Sequence, residues 1–147
     1  MPDYKDSAIG VIVYRQFPRS LKFLIVKHKK GHWSFAKGHK DKGETMIQTA
    51  KRELLEETGL KGVEFLSKKV LLKEEYYYSE KDRKKISKIV RYFVAKTKTE
   101  KIKIDNKEII DYKWCTFKAA RKKLTYAQSR KLVKDSVNLI LKKSKKT

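Results

Sequence analysis

Residues 38–60 read Gly-His-Lys-Asp-Lys-Gly-Glu-Thr-Met-Ile-Gln-Thr-Ala-Lys-Arg-Glu-Leu-Leu-Glu-Glu-Thr-Gly-Leu, and no other stretch restricts the fold so strongly. A glycine-bearing loop runs into a short helix. Thr45 followed by Gln48 makes a capping box, and Gly59 before an apolar residue is a helix stop, so the spacing predicts a helix over residues 46–58. Met46, Ile47, Ala50 and Leu54 recur at helical spacing and supply an apolar face to press on a sheet. Glu53, Glu56 and Glu57, at i, i+3 and i+4, place their carboxylates on a neighbouring face within one turn.

Like charges this close repel and raise one another's pKa, at a cost on the order of a few tenths of a kcal/mol per pair in an isolated helix. A hard divalent cation compensates such a group: Mg²⁺ accepts one or two carboxylates and keeps positions open for water and substrate phosphates. Arg52, four residues before Glu56, can fix that carboxylate by a charge-assisted hydrogen bond. Spacing alone leaves two readings open, a Mg²⁺-phosphate site and a solvated acidic helix face.

The stretch resembles the signature of the Nudix hydrolases, G-x5-E-x7-R-E-U-x-E-E-x-G-U with U aliphatic, at Gly38, Glu44, Arg52, Glu53, Leu54, Glu56, Glu57, Gly59 and Leu60, without a departure. The resemblance implies that Glu53, Glu56 and Glu57, with the Gly38 carbonyl, bind Mg²⁺ or Mn²⁺, and that Arg52 orients the glutamates. The implied reaction is hydrolysis of a nucleoside diphosphate linked to another group. Trp33, Phe35, Lys37, Gly38, His39, Gly43 and Glu44 are similar to the W-x-F-P-K-G-H-x-x-x-G-E pattern of Nudix enzymes that cleave diadenosine polyphosphates. Ala36 stands where that subfamily has proline, which leaves the loop less pre-organised. Lys37 and His39 are candidates to meet substrate phosphate, His39 being equally suited to tying down its own loop.

With 147 residues the chain is expected to be a single domain, residues 1–147, and 39% hydrophobic content is low but sufficient for a core. The formal net charge of +22 favours polyanionic partners, although a compositional lysine bias accounts for it equally well. No apolar run is long enough for a membrane span, and Met1-Pro-Asp-Tyr-Lys-Asp lacks the apolar core of a signal peptide. Cys115 is the one cysteine, which excludes an intrachain disulfide, suits a cytoplasmic setting, and reads as a small packed hydrophobe rather than a nucleophile.

Before the signature, residues 7–14 are apolar almost throughout, as in a strand buried on both faces, and residues 21–26 form its hairpin partner. Residues 28–32 are a polar turn, and none of the three histidines has a metal-ligand spacing with cysteine. After the signature, residues 62–66 and 69–72 are strand-like and lead to Tyr76, Tyr77 and Tyr78. A polar hairpin loop over 79–87, holding Glu80, Lys81, Asp82, Arg83, Lys84 and Lys85, precedes a strand over 88–95, in which Lys88 shares a face with Val90 and Tyr92. Tyrosines beside lysines suit a nucleobase with phosphates alongside, and equally suit plain strand composition. Resemblance to the diadenosine polyphosphate enzymes favours Tyr78 for base stacking and Lys88 for phosphate.

Residues 96–107 are a charged connection with a weak strand around 102–104. Glu108 to Trp114 resembles the E-x-x-x-Y-x-W stretch in which many Nudix enzymes keep a further carboxylate, so Glu108 is a candidate second-cation ligand or proton acceptor, or else an exposed strand-start residue. Residues 116–120 are a helical turn, and a helix over 126–141 carries Ala127, Leu132, Val133, Val137, Ile140 and Leu141 as its apolar stripe, expected to pack on the sheet face opposite the signature helix. Tyr126 is a second candidate stacking ring, and residues 142–147 are a basic tail.

The expected fold is α/β, a Nudix-type α/β/α sandwich around a mixed central β-sheet. The expected function is Mg²⁺- or Mn²⁺-dependent hydrolysis of a phosphoanhydride, with diadenosine tetraphosphate cut to ATP and AMP as the favoured reaction. Catalysis falls to Arg52, Glu53, Glu57 and Glu108; substrate binding to Lys37, His39, Tyr78, Lys88 and Tyr126; metal binding to Gly38, Glu53, Glu56, Glu57 and Glu108. The alternatives are an RNA 5′-pyrophosphohydrolase, another nucleotide pyrophosphatase acting on ADP-ribose or a dNTP, and a basic RNA- or nucleotide-binding module without turnover. A monomer is expected, with a nucleotide as partner and no membrane.

Overall fold

The computed structural model describes residues 4–79, 81 and 85–144. Glu80, Asp82, Arg83 and Lys84 of the expected hairpin loop, Lys145, Lys146 and Thr147 of the basic tail, and Met1, Pro2 and Asp3 lie outside them. The chain runs β1 (Tyr4–Gln16), β2 (Leu21–His28), β3 (Trp33–Ser34), β4 (Ala36–Gly38), α1 (Met46–Thr58), β5 (Glu64–Phe65), β6 (Leu72–Ser79), β7 (Lys85–Lys96), β8 (Ile109–Thr116), α2 (Phe117–Lys123) and α3 (Ala127–Ser144).

The strands form one mixed sheet around β1, which pairs parallel with β7 and antiparallel with β2 and β4. β8 pairs with β2, and β6 and β5 pair with β7. Both faces are covered, which is why residues 8–14 read as a continuous apolar run. Ala8, Ile12, Phe23, Ile25, Val90 and Tyr92 pack on one face with Ala120, Leu132, Val133 and Ile140 of α2 and α3. Ile9, Val11, Val13, Leu24, Val26 and Phe93 pack on the other with Ala50 and Leu54 of α1. The expected α/β/α sandwich is therefore the fold observed. Gly10 has a specific reason to be glycine, since a Cβ there would run into the Tyr92 ring.

Several local expectations are corrected. Met46 is exposed, and Thr49 takes the inward place at the start of α1, where its hydroxyl bonds Glu44 Oε1 at 3.0 Å and the Thr45 carbonyl at 3.2 Å. Residues 69–71 stay outside the sheet ladder, although the Leu71 N–H donates to the Tyr92 carbonyl at 3.2 Å, and only Glu64 and Phe65 of 62–66 are strand. Residues 102–104 form no strand; Ile102 and Ile104 pack under α1 while the Lys103 N–H caps the Thr58 carbonyl at 2.9 Å. In α3, Ala127 and Leu141 face solvent and Ser129 and Ser136 complete the buried stripe. Ser136 tolerates burial because its hydroxyl bonds the Leu132 carbonyl at 2.8 Å.

Candidate active site

The loop from β4 into α1 is held by its own charges. Arg52 donates through Nε to Glu44 Oε2 at 2.8 Å, through Nη1 to Glu53 Oε1 at 2.9 Å and Glu56 Oε2 at 3.3 Å, and through Nη2 to the His39 carbonyl at 2.8 Å. One guanidinium thus spans both the loop and a turn of α1, a task its planar set of donors suits and a lysine's point charge does not. The hydrogen bond from Arg52 holds the Glu44 carboxyl down at about 2, and Glu44 in turn raises Arg52. Glu44 is a site residue that spacing ranked only as part of a motif. Its eight-residue separation from Arg52 becomes a contact because the Thr45–Gln48 capping box folds the chain back there.

Glu53 and Glu57 lie one turn apart on the inward side, while Glu56 is exposed. Burial raises Glu53 despite the Arg52 bond. Glu57 is 3% exposed and is pushed up to about 8, first by burial, then by the charge of Glu53, with Asp105 and Glu108 adding to it. The Lys37 backbone N–H donates to Glu57 Oε1 at 3.3 Å. A Cβ on Gly38 would fall on the Glu53 carboxylate, so the chain is bare where that carboxylate approaches. Among the described residues no three acidic, imidazole or thiol groups already converge as a cation site, because Arg52 engages Glu53 and Glu56.

The donor set nevertheless fits a hard divalent cation. It consists of carboxylate oxygens packed against a glycine backbone that no side chain screens, and one of the carboxylates is pushed up first by burial and then by the neighbouring negative charge of Glu53. Glu108 stands exposed at the entry to β8, in a turn that Asp105 Oδ1 organises by accepting the N–H groups of Lys107, Glu108 and Ile109 at 3.0, 3.1 and 3.0 Å.

On the other side of Lys37 lies a cavity of about 310 Å³, lined by His32, Ser34, Lys37, Glu74, Tyr76, Tyr77, Tyr78, Tyr126, Gln128 and Ser129. Tyr78 and Tyr126, both candidate stacking rings, meet here; the Tyr76 and Tyr78 rings lie 6.1 Å apart and Tyr126 is 53% exposed. Burial lowers Lys37, against the pull of Glu74, Glu57 and Asp6. The buried Tyr92 hydroxyl donates to Glu74 Oε1 at 2.9 Å, fixing a carboxylate in the cavity wall.

Lys88 and His39 do not line the cavity. Lys88 Nζ lies 3.5 Å from Asp6 Oδ2, and His39 Nε2 lies 2.9 Å from Asp6 Oδ1, so Asp6 ties both to β1. Burial pushes Asp6 upward, but the His39 hydrogen bond and the Lys88 charge outweigh it and leave its pKa lowered. Asp6 opposes Lys88 in the parallel β1–β7 register, a partnership no local pattern announces. His28 and His32 stack at 4.4 Å, and burial drives His28 down to about 3 while its Nε2–H donates to the Phe35 carbonyl at 3.1 Å. Cys115 is buried, with its thiol pKa raised by burial.

Comparison with known proteins agrees with this arrangement. Residues 5–136 match the NUDIX domain family model. The chain is 30% identical over 129 residues to the asymmetrical bis(5′-nucleosyl)-tetraphosphatase of Caenorhabditis elegans, covering 86% of this chain and 91% of that protein. It is 28% identical over 130 residues to an RNA pyrophosphohydrolase of Nitratiruptor, covering 78% and 79% respectively. Against a Mycobacterium tuberculosis protein named MutT4, 31% identical over 108 residues, it spans 42% of the relative's length. Among solved structures, a binary complex of the C. elegans Ap4A hydrolase superposes with a TM-score of 0.72 at 25% identity, covering 92% of this chain and 97% of that one. With the signature loop, the carboxylate-bearing helix and the sandwich all in place, the chain is an enzyme of the Nudix hydrolase family.

Proposed function

We propose that the chain is one Nudix domain that hydrolyses a dinucleoside polyphosphate, diadenosine tetraphosphate to ATP and AMP, with Mg²⁺ or Mn²⁺ held by Glu53, Glu56 and Glu57, the Gly38 carbonyl and Glu108. The observation that carries this reading is Lys37: its side chain lines the tyrosine cavity and its backbone N–H meets Glu57, so base pocket and carboxylates share one wall. Similarity to the C. elegans tetraphosphatase supports the substrate, and the lone buried Cys115 suits a reducing cytoplasm.

When bound, the cation supplies Lewis acidity at a phosphate oxygen and a more acidic water. Tyr78 and Tyr126 hold one base by stacking. Lys37 and Lys88 offset charge on the phosphates. Arg52 keeps Glu53 and Glu56 in place, and Glu53 or Glu108 accepts the proton of the attacking water. His39, bonded to Asp6, steadies the loop.

The test is one panel of diadenosine tetraphosphate, ADP-ribose, NADH, dNTPs and triphosphorylated RNA with each cation. Diadenosine tetraphosphate turned over fastest, with ATP and AMP as products, is the expected result. Faster release of pyrophosphate from RNA, the activity named for the Nitratiruptor relative, would replace this reading.

A further inference from the structure

The +22 charge is not spread evenly. Residues 41–66, which contain α1, hold six Asp and Glu against four Lys and Arg. Residues 117–144, which contain α2 and α3, hold nine Lys and Arg against the single carboxylate of Asp135. α1 covers one face of the sheet and α2 and α3 the other, so the segment that carries the carboxylates is locally acidic while the helices on the opposite face concentrate positive charge.

A uniform lysine bias does not sort charge this way. Lys118, Arg121 and Lys122 on α2 and Lys131 and Lys134 on α3 are exposed. No salt bridge among the described residues engages a basic side chain of α2 or α3.

This face runs to the rim of the cavity. Lys123 Nζ sits 4.1 Å over the Trp33 ring, and Tyr126, Gln128 and Ser129 at the start of α3 line the cavity itself. Tyr77, 67% exposed, lines the same cavity. Positive side chains leading to exposed aromatic rings match a polymer of phosphates and unstacked bases. An anionic membrane would need an apolar face to insert, and α3 presents only Leu141 there.

We propose that the exposed face of α2 and α3 is a docking surface for single-stranded nucleic acid, whose end reaches the tyrosine rim of the cavity. The surface acts whatever nucleotide the carboxylate site cleaves, so its test is a binding measurement separate from turnover.

The full chain is titrated into a fluorescent single-stranded RNA with a 5′-hydroxyl end and followed by anisotropy at several salt concentrations. With about five phosphates neutralised at a slope of about −0.7 each, affinity falls on the order of a hundredfold between about 50 and about 200 mM salt. Lys131→Glu with Lys134→Glu, and Arg121→Glu with Lys122→Glu, each weaken binding at least about tenfold more than the control pair Lys98→Glu with Lys101→Glu, and flatten the salt slope. Hydrolysis of diadenosine tetraphosphate keeps its rate in all three variants. Equal losses from the control pair would show that net charge alone attracts the RNA and would overturn the proposal. Binding to phosphatidylserine vesicles without binding to RNA would overturn it as well.

Discussion

The Lys37 backbone N–H donates to Glu57 Oε1 at 3.3 Å, joining β4 to the last turn of α1 at a carboxylate that is almost wholly buried. That bond pulls the Glu57 pKa down, yet burial and the neighbouring Glu53 charge prevail and leave it at about 8. The chain therefore folds around a carboxylate that, without a cation, prefers to keep its proton.

A stability profile follows from the sign of that shift. An ordinary glutamate titrates near 4.5, so between about 4.5 and about 8 the folded chain binds a proton that the unfolded chain has lost. The contribution of Glu57 is fully present below about 4.5 and is lost as pH rises toward about 8. In chelator, thermal unfolding should show wild type losing on the order of a few kcal/mol across that window relative to Glu57→Gln. Mg²⁺ or Mn²⁺ should restore wild type and not the variant. A difference between the two proteins that ignores pH would contradict the assignment.

Arg52 is expected to act through geometry rather than charge. Arg52→Lys keeps the positive charge but cannot span Glu44, Glu53, Glu56 and the His39 carbonyl at once. Turnover should fall by at least about tenfold, equivalent to about 1.4 kcal/mol of barrier, with KM changed far less. Full turnover in the lysine variant would show that the fork of hydrogen bonds is dispensable.

Two glycines, one closing β4 and one in the loop that follows, should fail differently. At Gly38 an added Cβ meets the Glu53 carboxylate, so Gly38→Ala displaces that group and should abolish most activity while the melting temperature shifts little. At Gly43 nothing stands near a Cβ, but φ is +83°, so Gly43→Ala should cost about 1 kcal/mol of stability with a smaller effect on turnover. Identical profiles for the two variants would refute the distinction.

How much was legible in advance depended on the range of the interactions. The limits of α1, its capping box and the Gly59 stop are local, and the sequence predicts all of them correctly. The sandwich was readable because residues 8–14 are apolar on both faces and the helices over 46–58 and 126–141 each carry an apolar stripe to cover one of them. Asp6 was not readable as a partner of His39 and Lys88, since it depends on a parallel register between strands about eighty residues apart. Glu74 gave no local signal at all, since its place in the cavity wall comes from the Tyr92 hydroxyl on the neighbouring strand. Met46, Ala127 and Leu141 fit a helical period yet face solvent, because Thr49, Ser129 and Ile140 occupy the inner positions instead.

The cavity rings should control binding. Tyr78→Ala and Tyr126→Ala should each raise KM for diadenosine tetraphosphate roughly tenfold, in line with about 1–3 kcal/mol per stacked base, with kcat nearly unchanged. Tyr126→Phe should restore most of the affinity, since the ring and not the hydroxyl does the stacking. Unchanged KM in both alanine variants would place the base elsewhere.

The decisive measurement is the turnover of diadenosine tetraphosphate by Glu57→Gln at saturating Mg²⁺, with thermal unfolding followed in parallel. The account predicts a loss of several orders of magnitude in kcat by a protein that is folded and, in chelator above pH 8, more stable than wild type. Undiminished turnover by the folded variant would contradict it.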